Sequence, residues 1–262
     1  AKAGQTFVSD EVYRGVKAIV GGQDMGEISV KGMDTPVPVW MLERLTGDAT
    51  ENASPIVGRQ AELRQFQGAL NTARQDGSGQ AIYLRAEAGI GKSRLVDEFR
   101  RMAGADGFAC HGGQCLDFGQ SADQSAVSAL VRSMAGSAQG DKDDQGRAAA
   151  AVDNGLVDPN HLVFLHDLLN LDQLADMGAI YDAMDNETRA RGKRETLATL
   201  LTRCAQRSPI LMVIEDLHWA ETPELAQMAQ LAASAHAMPV VLVITSRVEN
   251  DPVDAEWRRL AR

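Results

Sequence analysis

Hydrophobic positions in this chain follow two patterns. Continuous apolar runs occur at Ala81-Ile82-Tyr83-Leu84, Pro209-Ile210-Leu211-Met212-Val213-Ile214 and Pro239-Val240-Val241-Leu242-Val243-Ile244. Short runs without alternation predict strands buried on both faces of a parallel sheet. Residues 108–115 add a further strand. Between the runs, apolar residues recur at helical spacing. Leu63, Phe66 and Leu70 share one side of a helix predicted over residues 61–74, which Gln75-Asp76-Gly77-Ser78-Gly79 breaks. Residues 94–101, 125–134 and 195–207 read as further helices. Asp158-Pro159 signals a helix start before residues 161–169, and Thr222-Pro223 supplies a cap and first position for another. Residues 136–146, polar and glycine-rich, predict a loop. Strands alternating with helices predict an α/β fold, three layers deep, with a mostly parallel sheet.

Chemistry concentrates where the first strand meets its helix. Ala86-Glu87-Ala88-Gly89-Ile90-Gly91-Lys92-Ser93 joins an apolar strand to an amphipathic helix. Backbone N–H groups at a helix N-terminus favour an anion, and Gly89 and Gly91 let the main chain approach its oxygens. Lys92 can reach β- and γ-phosphates, and the Ser93 hydroxyl can ligate Mg²⁺. The expected ligand is ATP. Ala86 departs from the glycine that opens this pattern, and alanine fits there only with a negative φ.

The second run ends in Glu215-Asp216. Carboxylates at the C-terminal edge of a parallel strand sit where such sheets bind ligands. One can hold the Mg²⁺ shell while the other orients a water, and either assignment fits the sequence. At the end of the third run, Ser246 or Arg247 can sense the γ-phosphate; Arg247 can equally cap the strand.

These motifs resemble those of STAND and AAA-type signalling ATPases, P-loop NTPases with a nucleotide-driven conformational switch. Pro55-Ile56-Val57-Gly58-Arg59-Gln60-Ala61-Glu62-Leu63 is similar to the family's opening motif. Residues 87–95 are similar to its P-loop, including Ile90 and Arg94. Residues 214–220 are similar to its Walker B strand and continuation. The resemblance covers about residues 55–250 and implies slow hydrolysis, with Arg59 near the adenine or ribose. His218 and Trp219 carry no chemistry that can be derived and are expected to pack. No arginine finger is evident. The alternatives are a decayed interaction module, or a metabolic kinase, which shares the P-loop. The chain stops at Arg262, so a C-terminal helical lid and repeat region are expected beyond it.

Residues 4–13, 25–33 and 36–42 resemble the C-terminal end of a class III nucleotidyl cyclase domain, with Asp34-Thr35-Pro36 as the turn of a closing hairpin. That resemblance implies an upstream adenylate or guanylate cyclase core in the same polypeptide. Residues 1–45 would form this β-rich remnant, 46–54 a linker and 55–262 the ATPase domain. About 45 residues bury little core alone.

Composition narrows the setting. The chain has 262 residues, 44% of them hydrophobic, and a net charge of −10. That charge repels phosphate backbones at long range, so nucleic acid is not an expected partner, and Arg189, Arg191, Lys193 and Arg194 read as a solvated face. No apolar stretch reaches the roughly 18 residues of a membrane span. Three cysteines without metal spacing suit a reducing, cytoplasmic protein, with Cys110 and Cys115 expected as buried thiols.

Overall fold

The computed structural model describes residues 6–17, 20–28, 36–45, 56, 58–115, 125–136, 144–220, 222–249 and 251. The expected linker over 46–54, the turn residues Asp34 and Thr35, and most of the loop expected over 136–146 lie outside them. The chain divides into two compact units, Ala1–Val57 and Gly58–Arg262.

The larger unit is built on a parallel sheet. Its strands are β4 (Gln80–Arg85), β5 (Ala109–Gln114), β6 (Ile210–Glu215) and β7 (Val240–Ser246), in spatial order β4-β7-β6-β5. The register sets Arg85 beside Ser246 and Gln114 beside Glu215, so the polar strand ends line up at one edge. Every residue of β7, and Ile210 to Ile214 of β6, is buried. Parallel strands covered on both faces require that pattern.

Alternation divides these side chains between two cores. Ile210, Met212 and Ile214 face one way with Val240, Leu242 and Ile244. They pack with α4 (Ala126–Met134), α5 (Asp144–Asp153), α6 (Leu162–Leu168), α8 (Asn186–Arg207) and α9 (Thr222–Ala235). Leu211, Val213, Val241 and Val243 are equally buried on the other face. There α2 (Gln60–Asp76) meets β7, and α3 (Lys92–Ala105) meets β5 and β6. Phe66 of α2 stacks on Phe99 of α3, ring centroids 3.9 Å apart. Helices on both faces make three layers.

Local signals explain the element ends. Gly77 closes α2 in the left-handed region at φ 64°. Ser125 caps α4 by accepting from the Ser128 N–H, and Asp185 caps α8 by accepting from Thr188. Gly113 serves packing: a Cβ there would lie 2.3 Å from the Ala126 carbonyl oxygen, so glycine admits α4 against β5.

The structure corrects several expectations. α8 begins at Asn186, nine residues before the expected start at 195, because the Asp185 cap sets the boundary and Gly192 packs on Phe164 instead of breaking the helix. Asp144 to Gly146 belong to α5. Cys110 is exposed, since β5 is an outer strand of the described sheet; Cys115 and Cys204 are buried. α9 starts at Thr222, and its cap lies outside the described residues.

The smaller unit carries β1 (Thr6–Ser9), α1 (Asp10–Val16), β2 (Val20–Ile28) and β3 (Val37–Leu45). The strands form an antiparallel sheet in the order β1-β3-β2. Tyr13 stacks on Trp40 at 4.0 Å, and the Trp40 indole donates to Asp10. Among the described residues of this unit only Val39 is buried among hydrophobics. No described helix of either unit is long and apolar enough to cross a membrane.

His111 on β5 hydrogen-bonds Ser133 at 2.8 Å. Burial holds its pKa below the usual imidazole value, and the Ser133 contact opposes this in part. The unfolded chain therefore takes up the proton first. This contribution to stability is intact above about pH 6.5 and declines as pH falls towards the folded-state value. Melting temperature followed from pH 7.5 to 5 should fall less steeply for His111→Gln than for wild type.

Candidate functional site

The loop between β4 and α3 turns on two glycines. Gly89 has φ 77° and Gly91 φ 88°, and Gly91 is the N-cap of α3. A residue with a Cβ would be strained by about 1–2 kcal/mol at either point. Asn170 and Asp216 are the described non-glycine residues with positive φ. Ala86 is not among them, so the departure from glycine carries no backbone penalty.

This loop and the first turn of α3 wall a cavity of about 340 Å³. Gly89, Gly91, Lys92, Ser93 and Arg94 line one side, and Asp216 and Arg247 line the other. Three cationic side chains and one carboxylate thus line a cavity at the N-terminus of a helix. The field favours an anion. The Lys92 ammonium donates to the carbonyls of Ala86 at 2.7 Å and Glu87 at 2.9 Å. Its head is therefore held at the loop.

Arg59 and Ile90 lie beside the cavity rather than in its described wall. The Arg59 guanidinium donates to the Ile90 carbonyl at 3.1 Å and to Glu62 at 2.9 Å. Its hydrogen bond holds the Glu62 carboxyl below the usual carboxylate range. The residue preceding α2 thus grips the loop tip.

The two acids diverge. Asp216 takes a left-handed backbone conformation, φ 58° and ψ 40°. Its N–H donates to the Thr245 hydroxyl at 3.0 Å, and the Gln114 amide donates to its carboxylate at 3.0 Å. Asp216 is therefore held from β5 and β7 with its carboxylate at the cavity. Glu215 instead pairs with Arg100 of α3 at 2.7 Å, away from the described cavity wall. Ser246 is fully buried and its hydroxyl reaches Asp251 at 3.2 Å, so Arg247 is the strand-end residue at the cavity. The Arg247 guanidinium lies 5.5 Å from the Trp219 ring centroid.

Gln114, Thr245 and Arg100 did not stand out in the sequence. The signal for Gln114 was its position at the end of a predicted strand. Thr245 directly followed an apolar run and Arg100 lay on a charged helix face.

A glycine-shaped loop opening a helix at one edge of a parallel sheet, with an acid across the cavity, defines a P-loop nucleotide-binding domain. The chain belongs to the AAA ATPase domain family, whose sequence model matches residues 55–244. It is also 28% identical over 234 residues to uncharacterized protein R02095 of Rhizobium meliloti (strain 1021). That alignment covers 85% of this chain and 22% of the curated relative's length.

Ser93 and Asp216 are the cavity residues suited to a divalent cation. No described group of three or more His, Cys, Asp or Glu side chains could hold a metal by itself. Mg²⁺ commonly binds through one or two carboxylates plus substrate phosphates, and this donor set suits it. Mg²⁺ titrations of nucleotide binding should show the half-saturating concentration rising about tenfold in Asp216→Asn. Glu215→Gln should change it less than about threefold while lowering stability, since Arg100 loses its ion pair to β6 and keeps only Asp97 on its own helix.

Proposed function

We propose that this chain is an ATP-binding, slowly hydrolysing regulatory module of the STAND kind. The observation that carries the reading is the cationic, glycine-lined cavity at the N-terminus of α3 with Asp216 across it. Lys92, Arg94 and the loop amides hold phosphate oxygens. Lys92 exchanges its contacts with the Ala86 and Glu87 carbonyls for them. Arg59 fixes the loop tip through Ile90, close to where base and ribose would enter. Arg247 contacts the terminal phosphate and so distinguishes triphosphate from diphosphate.

Mg²⁺, when bound, neutralises charge developing between the β- and γ-phosphates. Ser93 and Asp216 are the side chains that would hold it. Asp216, in this reading, also orients a water. Glu215, tied to Arg100, acts as a strut between α3 and β6. A catalytic arginine from a partner surface would raise hydrolysis by about 10³–10⁵.

The smaller unit extends the proposal. Its strand, helix and antiparallel strand pair follow the order expected for the end of a nucleotidyl cyclase domain. We infer that the ATPase controls an adenylate or guanylate cyclase in the same cytoplasmic polypeptide, together with a helical or repeat region beyond residue 262. Cyclic nucleotide output of the full-length protein, with and without Lys92→Ala, tests that extension.

Calorimetry with Mg-ATP tests the core of the reading. Lys92→Ala should lose about ten- to a hundredfold in affinity, the worth of one charge-assisted contact. Equal affinities for the two proteins would remove the phosphate cradle.

A further inference from the structure

The Asp251 side chain is a buried carboxylate close in sequence to an exposed stretch, Arg247 to Glu249. It is 2% exposed, whereas Val248 is 42% exposed. Burying a carboxylate is costly unless polar partners surround it. Here the partners come from the ends of two strands. The Tyr83 hydroxyl of β4 donates to Oδ2. Arg85 Nε lies 3.3 Å from the same oxygen. The Ser246 hydroxyl of β7 reaches Oδ1 at 3.2 Å. Burial, with the neighbouring carboxylate, pushes the Tyr83 hydroxyl well above the usual phenol range, so it remains a donor.

The same groups bracket Arg247. On one side, the Ser246 carbonyl accepts from the Ala86 N–H at 3.3 Å, continuing the β4–β7 pairing into the phosphate loop. On the other, Arg85 Nη2 donates to the Val248 carbonyl at 3.2 Å. Arg247 is thus the single residue between two main-chain anchors, and Asp251 contacts the arginine and the serine that supply them, with the Tyr83 hydroxyl as a further donor. Buried polar networks with satisfied members specify one arrangement.

We propose that Asp251 is a positioning residue for Arg247, presetting its guanidinium for the terminal phosphate. Preorganisation lowers the ordering cost of binding, and here it acts on the contact that separates ATP from ADP. The inference rests on the role given to Arg247 above.

The test is a double-mutant cycle read as the ratio of ATP to ADP affinity, measured by calorimetry with Mg²⁺. Arg247→Ala should cut the ratio about tenfold. Asp251→Asn should cut it at least about threefold in the wild-type background and change nothing in the Arg247→Ala background. Tyr83→Phe, a milder change, should act in the same direction and keeps the test open if Asp251→Asn fails to fold. A general loss of packing would weaken both nucleotides and leave the ratio alone. An unchanged ratio, or equal effects in both backgrounds, overturns the positioning role. An unchanged ratio in Arg247→Ala instead removes the sensing role on which it rests.

Discussion

Burial of β6 and β7 on both faces is the constraint from which the site follows. A strand covered by helices above and below has no room for polar side chains along its length. Polar groups therefore appear at the strand ends, where even the buried Thr245 and Ser246 find hydrogen-bond partners. Because the strands are parallel, their C-terminal ends stop together. Gln114, Glu215, Thr245 and Ser246 come from segments far apart in sequence, yet the shared register sets them at one edge. The phosphate loop leaves β4 at that same edge. Apolar packing thus does the assembly, and the polar contacts only refine it.

That division explains what could be read from sequence. The strands, the loop and the P-loop family were legible, because a buried parallel strand is a continuous apolar run and the loop needs Gly89 and Gly91. Which of Glu215 and Asp216 faces the cavity was not. Neighbouring residues at a strand end point to different faces, and the left-handed turn at Asp216 alters the aim again. No local pattern encodes that turn in an aspartate. The partners Thr245 and Gln114 were hidden for a related reason. Their contact with Asp216 depends on strand order, β7 and β5 flanking β6, which is a property of the whole sheet. The start of α8 lies earlier than expected because Asp185 caps it, and Gly192 is tolerated inside the helix where the Phe164 ring occupies the space a side chain would need.

Arginines connect the layers around the loop. Arg59 ties the start of α2 to the loop tip, and Arg100 ties α3 to the end of β6. Arg85 joins β4 to the segment after β7. Each bond joins a helix or strand to a different structural layer or segment. A planar fork with several donors suits this work, since it can satisfy a carbonyl and a carboxylate together. Lysine could make either contact but not the same pair in fixed geometry.

The backbone at Asp216 has a cost that outlasts any one ligand. A left-handed residue with a side chain sacrifices about 1 kcal/mol relative to glycine. Glycine would relax that strain and take the acid away with it. Selection for thermal robustness alone would drift towards the smaller residue. A screen that rewards only heat resistance would favour glycine at 216 and so lose the carboxylate that Gln114 holds at the cavity.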